Sequence, residues 1–109
     1  MHYFSAKNKL PIDLTPDIHA RPFWGKKLML VLVDLEANST LPTHSDPNEQ
    51  AGYLLKGDLE FTIDGEHKIL HPGDIYFIRS NVEHSAKVGP NPVQLLDIFT
   101  PIREDLKSE

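Results

Sequence analysis

The chain has 109 residues, enough for one domain built around a single core. Eleven basic and sixteen acidic residues give a net charge of -5, which argues against nucleic acid as the main partner and leaves room for a small anionic substrate met locally by Arg21, Arg79 or Arg103. The absence of cysteine excludes a disulfide framework, a thiolate-bound zinc and a cysteine nucleophile, so any bound metal must rest on nitrogen and oxygen donors. No apolar run approaches the ~20 residues that cross a bilayer, and the N-terminal stretch lacks the apolar centre of a signal peptide. No membrane partner is expected, and a cytoplasmic location is.

Nine prolines and six glycines break the chain into short segments rich in Val, Ile, Leu, Phe and Tyr, the pattern of an all-β barrel or sandwich. Residues 1–25, with Pro11, Pro16 and Pro22, read as an extended arm with one short strand. Its Tyr3, Phe4, Leu10, Ile12, Leu14, Phe23 and Trp24 need burial, either on the barrel or on a partner subunit, and a homodimer is expected. The barrel spans 26–102. Its most apolar run, 27–35, predicts a central strand covered on both faces. Strands follow at 52–55 and 58–63, split at Gly57, and Asp64-Gly65 supplies the positive-φ pair of a two-residue hairpin turn into 66–70. Pro72-Gly73-Asp74 turns the chain into 75–78; a loop over 80–83 precedes a strand starting near His84. Gly89-Pro90-Asn91-Pro92 leads into the last strand, 93–100. The polar tail, 103–109, has the composition of a short helical turn. About eight short strands with two glycine-anchored hairpins point to a small double-sheet barrel.

The chemistry concentrates in His44, Asp46, Gln50 and His84. On an extended strand residues i and i+2 share a face, so His44 and Asp46 can converge on one point. An imidazole and a carboxylate aimed together begin a divalent-metal site, and Gln50 and His84 are the natural third and fourth ligands. His2, His19, His67 and His71 sit in the arm or beside turns and read as solvated.

His44-Ser45-Asp46-Pro47-Asn48-Glu49-Gln50 with Gly57 resembles the first motif of the cupin family, His-x-His-x3-4-Glu/Gln-x6-Gly; Gly65, Pro72-Gly73-Asp74 and His84 resemble the second. The resemblance covers residues 44–84 and implies a double-stranded β-helix, the cupin or jelly-roll barrel, carrying one divalent ion (Mn, Fe, Zn or Ni) on His44, Asp46, Gln50 and His84. Two positions depart from the pattern. Arg79 replaces a frequent proline, and Asp46 replaces the second histidine. The carboxylate makes the site harder and more negative, which weakens the case for copper. Asp46 alternatively marks a site that has lost its metal; retention of Gln50 and His84 favours the retuned site.

Asp97 stands among Val93, Leu95 and Phe99 on one face of the last strand. A carboxylate there is exposed at an edge, paired, or facing a cavity where its charge is used. The run Asp97-x-Phe99-x3-Arg103-Glu104-Asp105 is similar to the C-terminal segment of small single-domain cupins, among them pectin-degradation enzymes that convert 4,5-unsaturated uronates to linear keto sugar acids. That resemblance implies Asp97 as acid/base, Phe99 as a pocket wall and Arg103 as a substrate contact; a solvated tail arginine is the alternative for Arg103. Two other functions stay open. His44, Asp46 and His84 have the composition of a two-histidine, one-carboxylate set, which suits a cofactor-independent Fe(II) or Mn dioxygenase. A non-enzymatic barrel that binds a sugar or other small molecule is the third reading.

Overall fold

The computed structural model describes residues 2–107. Ten strands follow in chain order: β1 (Ile12–Thr15), β2 (Ile18–Trp24), β3 (Met29–Leu35), β4 (Thr40–His44), β5 (Glu49–Lys56), β6 (Leu59–Ile63), β7 (Glu66–Leu70), β8 (Ile75–Ile78), β9 (His84–Val88) and β10 (Val93–Thr100). They form two antiparallel sheets, a six-stranded one ordered β1-β2-β3-β10-β5-β8 and a four-stranded one ordered β4-β9-β6-β7. Single 3-10 turns lie at Ala6–Asn8 and Glu104–Leu106.

The alternation read from the sequence decides what fills the space between the sheets. Met29, Val31, Val33 and Leu35 of β3 and Val93, Leu95 and Phe99 of β10 are buried, and the two strands pair over their whole length from Val93↔Leu35 to Phe99↔Met29. From the smaller sheet, Leu59, Phe61, Ala86 and Val88 meet them. Burying a side chain of this size contributes about 1.5–3 kcal/mol, so this inner layer is the main support of the fold. Two turns hold the register. Asp64 (φ 51°) and Gly65 (φ 78°) form the expected hairpin between β6 and β7. At Gly57 φ is +79°, and a Cβ would stand 2.4 Å from the carbonyl oxygen of Pro92, so only glycine fits between β5 and β6.

Two expectations are corrected. Residues 12–24 are not an extended arm with one strand but two strands, β1 and β2, with β2 paired to β3 from Ile18↔Leu35 to Trp24↔Met29. Pro22 and Pro16 did not prevent this, because Pro16 falls in the β1–β2 turn and Pro22 sits within β2 with its ring fully buried. The run 27–35 is covered on one face only: Leu28 and Leu30 are exposed on the outside of the sheet. The sheet stands at the surface, so a strand in its middle is buried by its inner neighbours alone.

Candidate metal and acid-base site

The cavity between the sheets has a volume of about 70 Å³, and its polar lining is His44, Asp46, Gln50, Tyr76, His84, Asp97 and Arg103. His44, the last residue of β4, lies opposite His84, the first of β9, and their ring centroids are 4.1 Å apart. Each ring is oriented by a backbone carbonyl two residues earlier: His44 Nδ1 donates to Pro42 O at 2.8 Å and His84 Nδ1 to Val82 O at 3.0 Å. Since a carbonyl only accepts, Nδ1 holds the proton and the lone pair on Nε2 of each ring is left free to bind a metal. Burial lowers the His84 pKa below the ordinary imidazole value, partly opposed by the Val82 bond, so its lone pair is available at neutral pH.

Asp46 reaches the same point by a route different from the one expected. It lies beyond the end of β4, in the connection to β5, so strand alternation does not bring it beside His44. The loop does, through the Asn81 N–H donating to Asp46 O at 2.6 Å. Ligand atoms of His44, Asp46 and His84 all lie within 4.8 Å of one another, close enough to share one ion. Gln50, on β5 and 5% exposed, comes from the other sheet.

Two buried oxygens, Asp46 Oδ2 and Gln50 Oε1, have no protein partner. A buried acceptor left unpaired costs about 1–3 kcal/mol, and a cation bound against either oxygen would offset that cost. Two imidazole nitrogens and two such oxygens fit a divalent ion of the Mn, Fe or Zn type. Among the described residues no other group of three histidines or carboxylates comes together in this way. His67 pairs with Glu60 at 3.2 Å and His71 with Asp58 at 2.9 Å. His19, read as solvated, is instead clamped between Asp13 and Glu36, each at 2.7 Å.

Asp97 faces the cavity and is not an exposed edge carboxylate. Burial raises its pKa from 3.8 to about 6, against the pull of hydrogen bonds from Tyr76 and Gln50 and the charge of Arg103. Arg103 is held at the rim, 3.6 Å from Asp46 Oδ1, bonded to Asp105 at 2.7 Å, and stacked over Phe99 at 5.0 Å. Phe99 itself is buried in the wall. Tyr76 and Leu106 were not legible as site residues. Tyr76 donates to Asp97 Oδ1 at 2.6 Å across 21 residues of sequence, and only strand register brings them together. Leu106, 5% exposed, closes the cavity from a tail that composition marked as polar.

The family profile described as a cupin domain matches residues 31–99. The chain belongs to the cupin family. It is 32% identical over 83 residues to the pectin degradation protein KdgF of Dickeya dadantii, covering 75% of this chain and 76% of that one. It is 31% identical over 96 residues to a 3-hydroxyanthranilate 3,4-dioxygenase of Shewanella woodyi, covering 84% of this chain but only 50% of that enzyme. Among solved structures, the cupin resembles an RmlC-like cupin from Shewanella frigidimarina (TM-score 0.91, 25% identity, 98% of this chain and 96% of that one). It also resembles KdgF from a Halomonas species (TM-score 0.88, 26% identity, 96% and 99%). No helix among the described residues is long and apolar enough to cross a membrane.

Proposed function

We propose that this cupin holds one divalent metal on His44, Asp46, Gln50 and His84 and acts on a small sugar acid, opening and ketonising a 4,5-unsaturated uronate. The observation that carries the reading is Asp97: a carboxyl with a pKa near 6, aimed into the cavity that holds the candidate metal donors. At that pKa both protonation states are populated near neutrality, as a group that takes a proton and returns it requires.

The reaction needs one proton moved and no oxidant. The hemiacetal hydroxyl loses a proton and the ring C–O bond breaks, giving an aldehyde and an enolate; protonation of the enolate carbon then yields the ketone. Asp97 is suited to accept the first proton and deliver the second. Arg103, which has donors beyond those used by Asp46 and Asp105, can grip the sugar carboxylate. Phe99 provides an apolar wall. A divalent ion bound at the four donors would supply Lewis-acid polarisation of substrate oxygens. The similarity to the two KdgF proteins, one named for pectin degradation, supports this substrate class.

Metal analysis and a uronate assay test the proposal together. About one divalent ion per chain is expected, lost in His84→Ala, and the metal-loaded protein should consume unsaturated uronate with Asp97→Ala inactive. Metal-free protein from metal-replete cells would remove the site, and metal without turnover would remove the reaction. The dioxygenase reading then comes forward, favoured by the dioxygenase relative and by Asp46 in a two-histidine, one-carboxylate set. Oxygen uptake with Fe(II) separates it from a non-enzymatic sugar-binding barrel.

A further inference from the structure

Tyr76, Gly52 and Asp97 form a row across three neighbouring strands: Tyr76 pairs with Gly52 between β8 and β5, and Gly52 with Asp97 between β5 and β10. Neighbouring strands lie about 4.8 Å apart, so residues two strands apart are ordinarily screened from each other by the side chain between them. Here that side chain is missing. The Tyr76 ring lies over the Gly52 backbone so closely that a Cβ there would stand 2.0 Å from Cζ and 2.2 Å from the hydroxyl oxygen. A glycine inside a strand marks such a close approach, and no other residue leaves the phenol in this position. The hydroxyl then reaches Asp97 Oδ1 at 2.6 Å. From the opposite sheet Phe61 packs edge-on against the Tyr76 ring at 4.7 Å, so the ring is held from both sides.

We infer that Tyr76 is a positioning residue: carried over the bare backbone of Gly52, its hydroxyl fixes the Asp97 carboxylate at the one orientation in which it can exchange a proton with a substrate in the cavity. This rests on Asp97 as the acid/base of the proposed reaction. Gln50 meets the same carboxylate while its Oε1 stays unpartnered, so the two hydrogen-bonding side chains on Asp97 orient it relative to the metal donors. A phenol buried only for packing would also seek a polar partner, and the two roles differ in what its loss changes.

Tyr76→Phe keeps the ring and removes the hydroxyl. In the metal-loaded protein with unsaturated uronate, kcat should fall about ten-fold or more, the scale of a lost hydrogen bond to a charged group, with KM and metal content within two-fold of wild type. In an Asp97→Glu background that retains slow turnover, adding Tyr76→Phe should cost little more, since residues acting as a unit are not additive. Equal proportional losses in the two backgrounds would mark a merely structural tyrosine and overturn the inference. Gly52→Ala should displace the ring and reproduce the Tyr76→Phe defect; if that variant does not fold, the Tyr76→Phe measurements decide. Crystal structures of wild type and Tyr76→Phe give a readout free of turnover: the Asp97 carboxylate should swing from its wild-type position, and an unmoved carboxylate overturns the inference. If the wild type leaves uronate untouched while Asp97 still swings, the uronate reading fails and the positioning role stands.

Discussion

The two oxygens of Asp46 have different surroundings: Oδ2 is buried and unpartnered, and Oδ1 stands 3.6 Å from the Arg103 guanidinium. A histidine, usual at this position in the family motif, offers no anion to Arg103. Asp46→His should therefore still bind a divalent ion, with competition between Mn and Cu shifted toward Cu, as metal analysis after mixed loading would record. Asp97 carries the pH dependence of the site. Its pKa is higher folded, about 6, than its ordinary 3.8, so the folded state binds the proton more tightly. Below pH 4 the group is protonated folded or unfolded and contributes no difference; stability is lost as pH rises from 4 through 6 and stays reduced above. In metal-free protein Asp97→Asn should remove this loss, raising stability at pH 7 by at most about 3 kcal/mol and leaving it unchanged at pH 3, as urea unfolding at the two pH values would measure.

At the scale of elements, the β1–β2 pair shows local chemistry and tertiary pairing at work together. Composition flagged 1–25 as needing burial, but β2 pairing with β3 buries Ile18, Ala20 and Pro22 and only half-buries Phe23 and Trp24, while Tyr3, Phe4, Leu10 and Leu14 stay exposed. The outer end of the pair is tied by His19, whose ring bridges Asp13 on β1 and Glu36 after β3. Those two carboxylates raise its pKa above 6.5. Asp34, opposite His19 on β3, is occupied by Arg21 and Gln94. The contribution of His19 is therefore complete below pH 6.5 and is lost as pH rises through the folded pKa. With the intrinsic pH dependence of amide exchange divided out, protection over 12–15 should fall above that point, and His19→Gln should remove the fall; equal protection at pH 6 and 9 in wild type would count against the clamp. By contrast, the Asp64-Gly65 hairpin was legible from two letters, because the turn demands positive φ at both positions.

Across the whole molecule, the two sheets divide the labour of the site. His44 and His84 come from the smaller sheet, Gln50 and Asp97 from the larger, and the tail closes the cavity with Leu106. The cavity, about 70 Å³, shares Asp46 and Arg103 with an outer groove of about 440 Å³ along Pro47, Asn48 and Pro101 to Asp105. The outside of the larger sheet leaves an apolar groove of about 610 Å³ among Phe4, Phe23, Trp24, Leu28, Leu30, Leu32 and Leu96. Phe4, Leu28 and Leu30 are exposed there, and we propose that a second copy covers them. Leu28→Glu with Leu30→Glu should halve the mass seen by light scattering, while a wild-type monomer would refute the dimer.

The sequence by itself determined the all-β class and the Asp64-Gly65 and Gly57 turns, because residue type, alternation and turn chemistry act over short range, and its motifs and family resemblance brought forward His44, Asp46, Gln50, His84, Asp97 and Arg103 as candidates. Only the tertiary structure decided how they meet. Asp46 arrives from a loop held by Asn81, His44 and His84 converge through β4–β9 pairing, and Tyr76 reaches Asp97 over Gly52. Those contacts depend on which strands lie side by side and in which register, and no local pattern encodes a register between segments tens of residues apart.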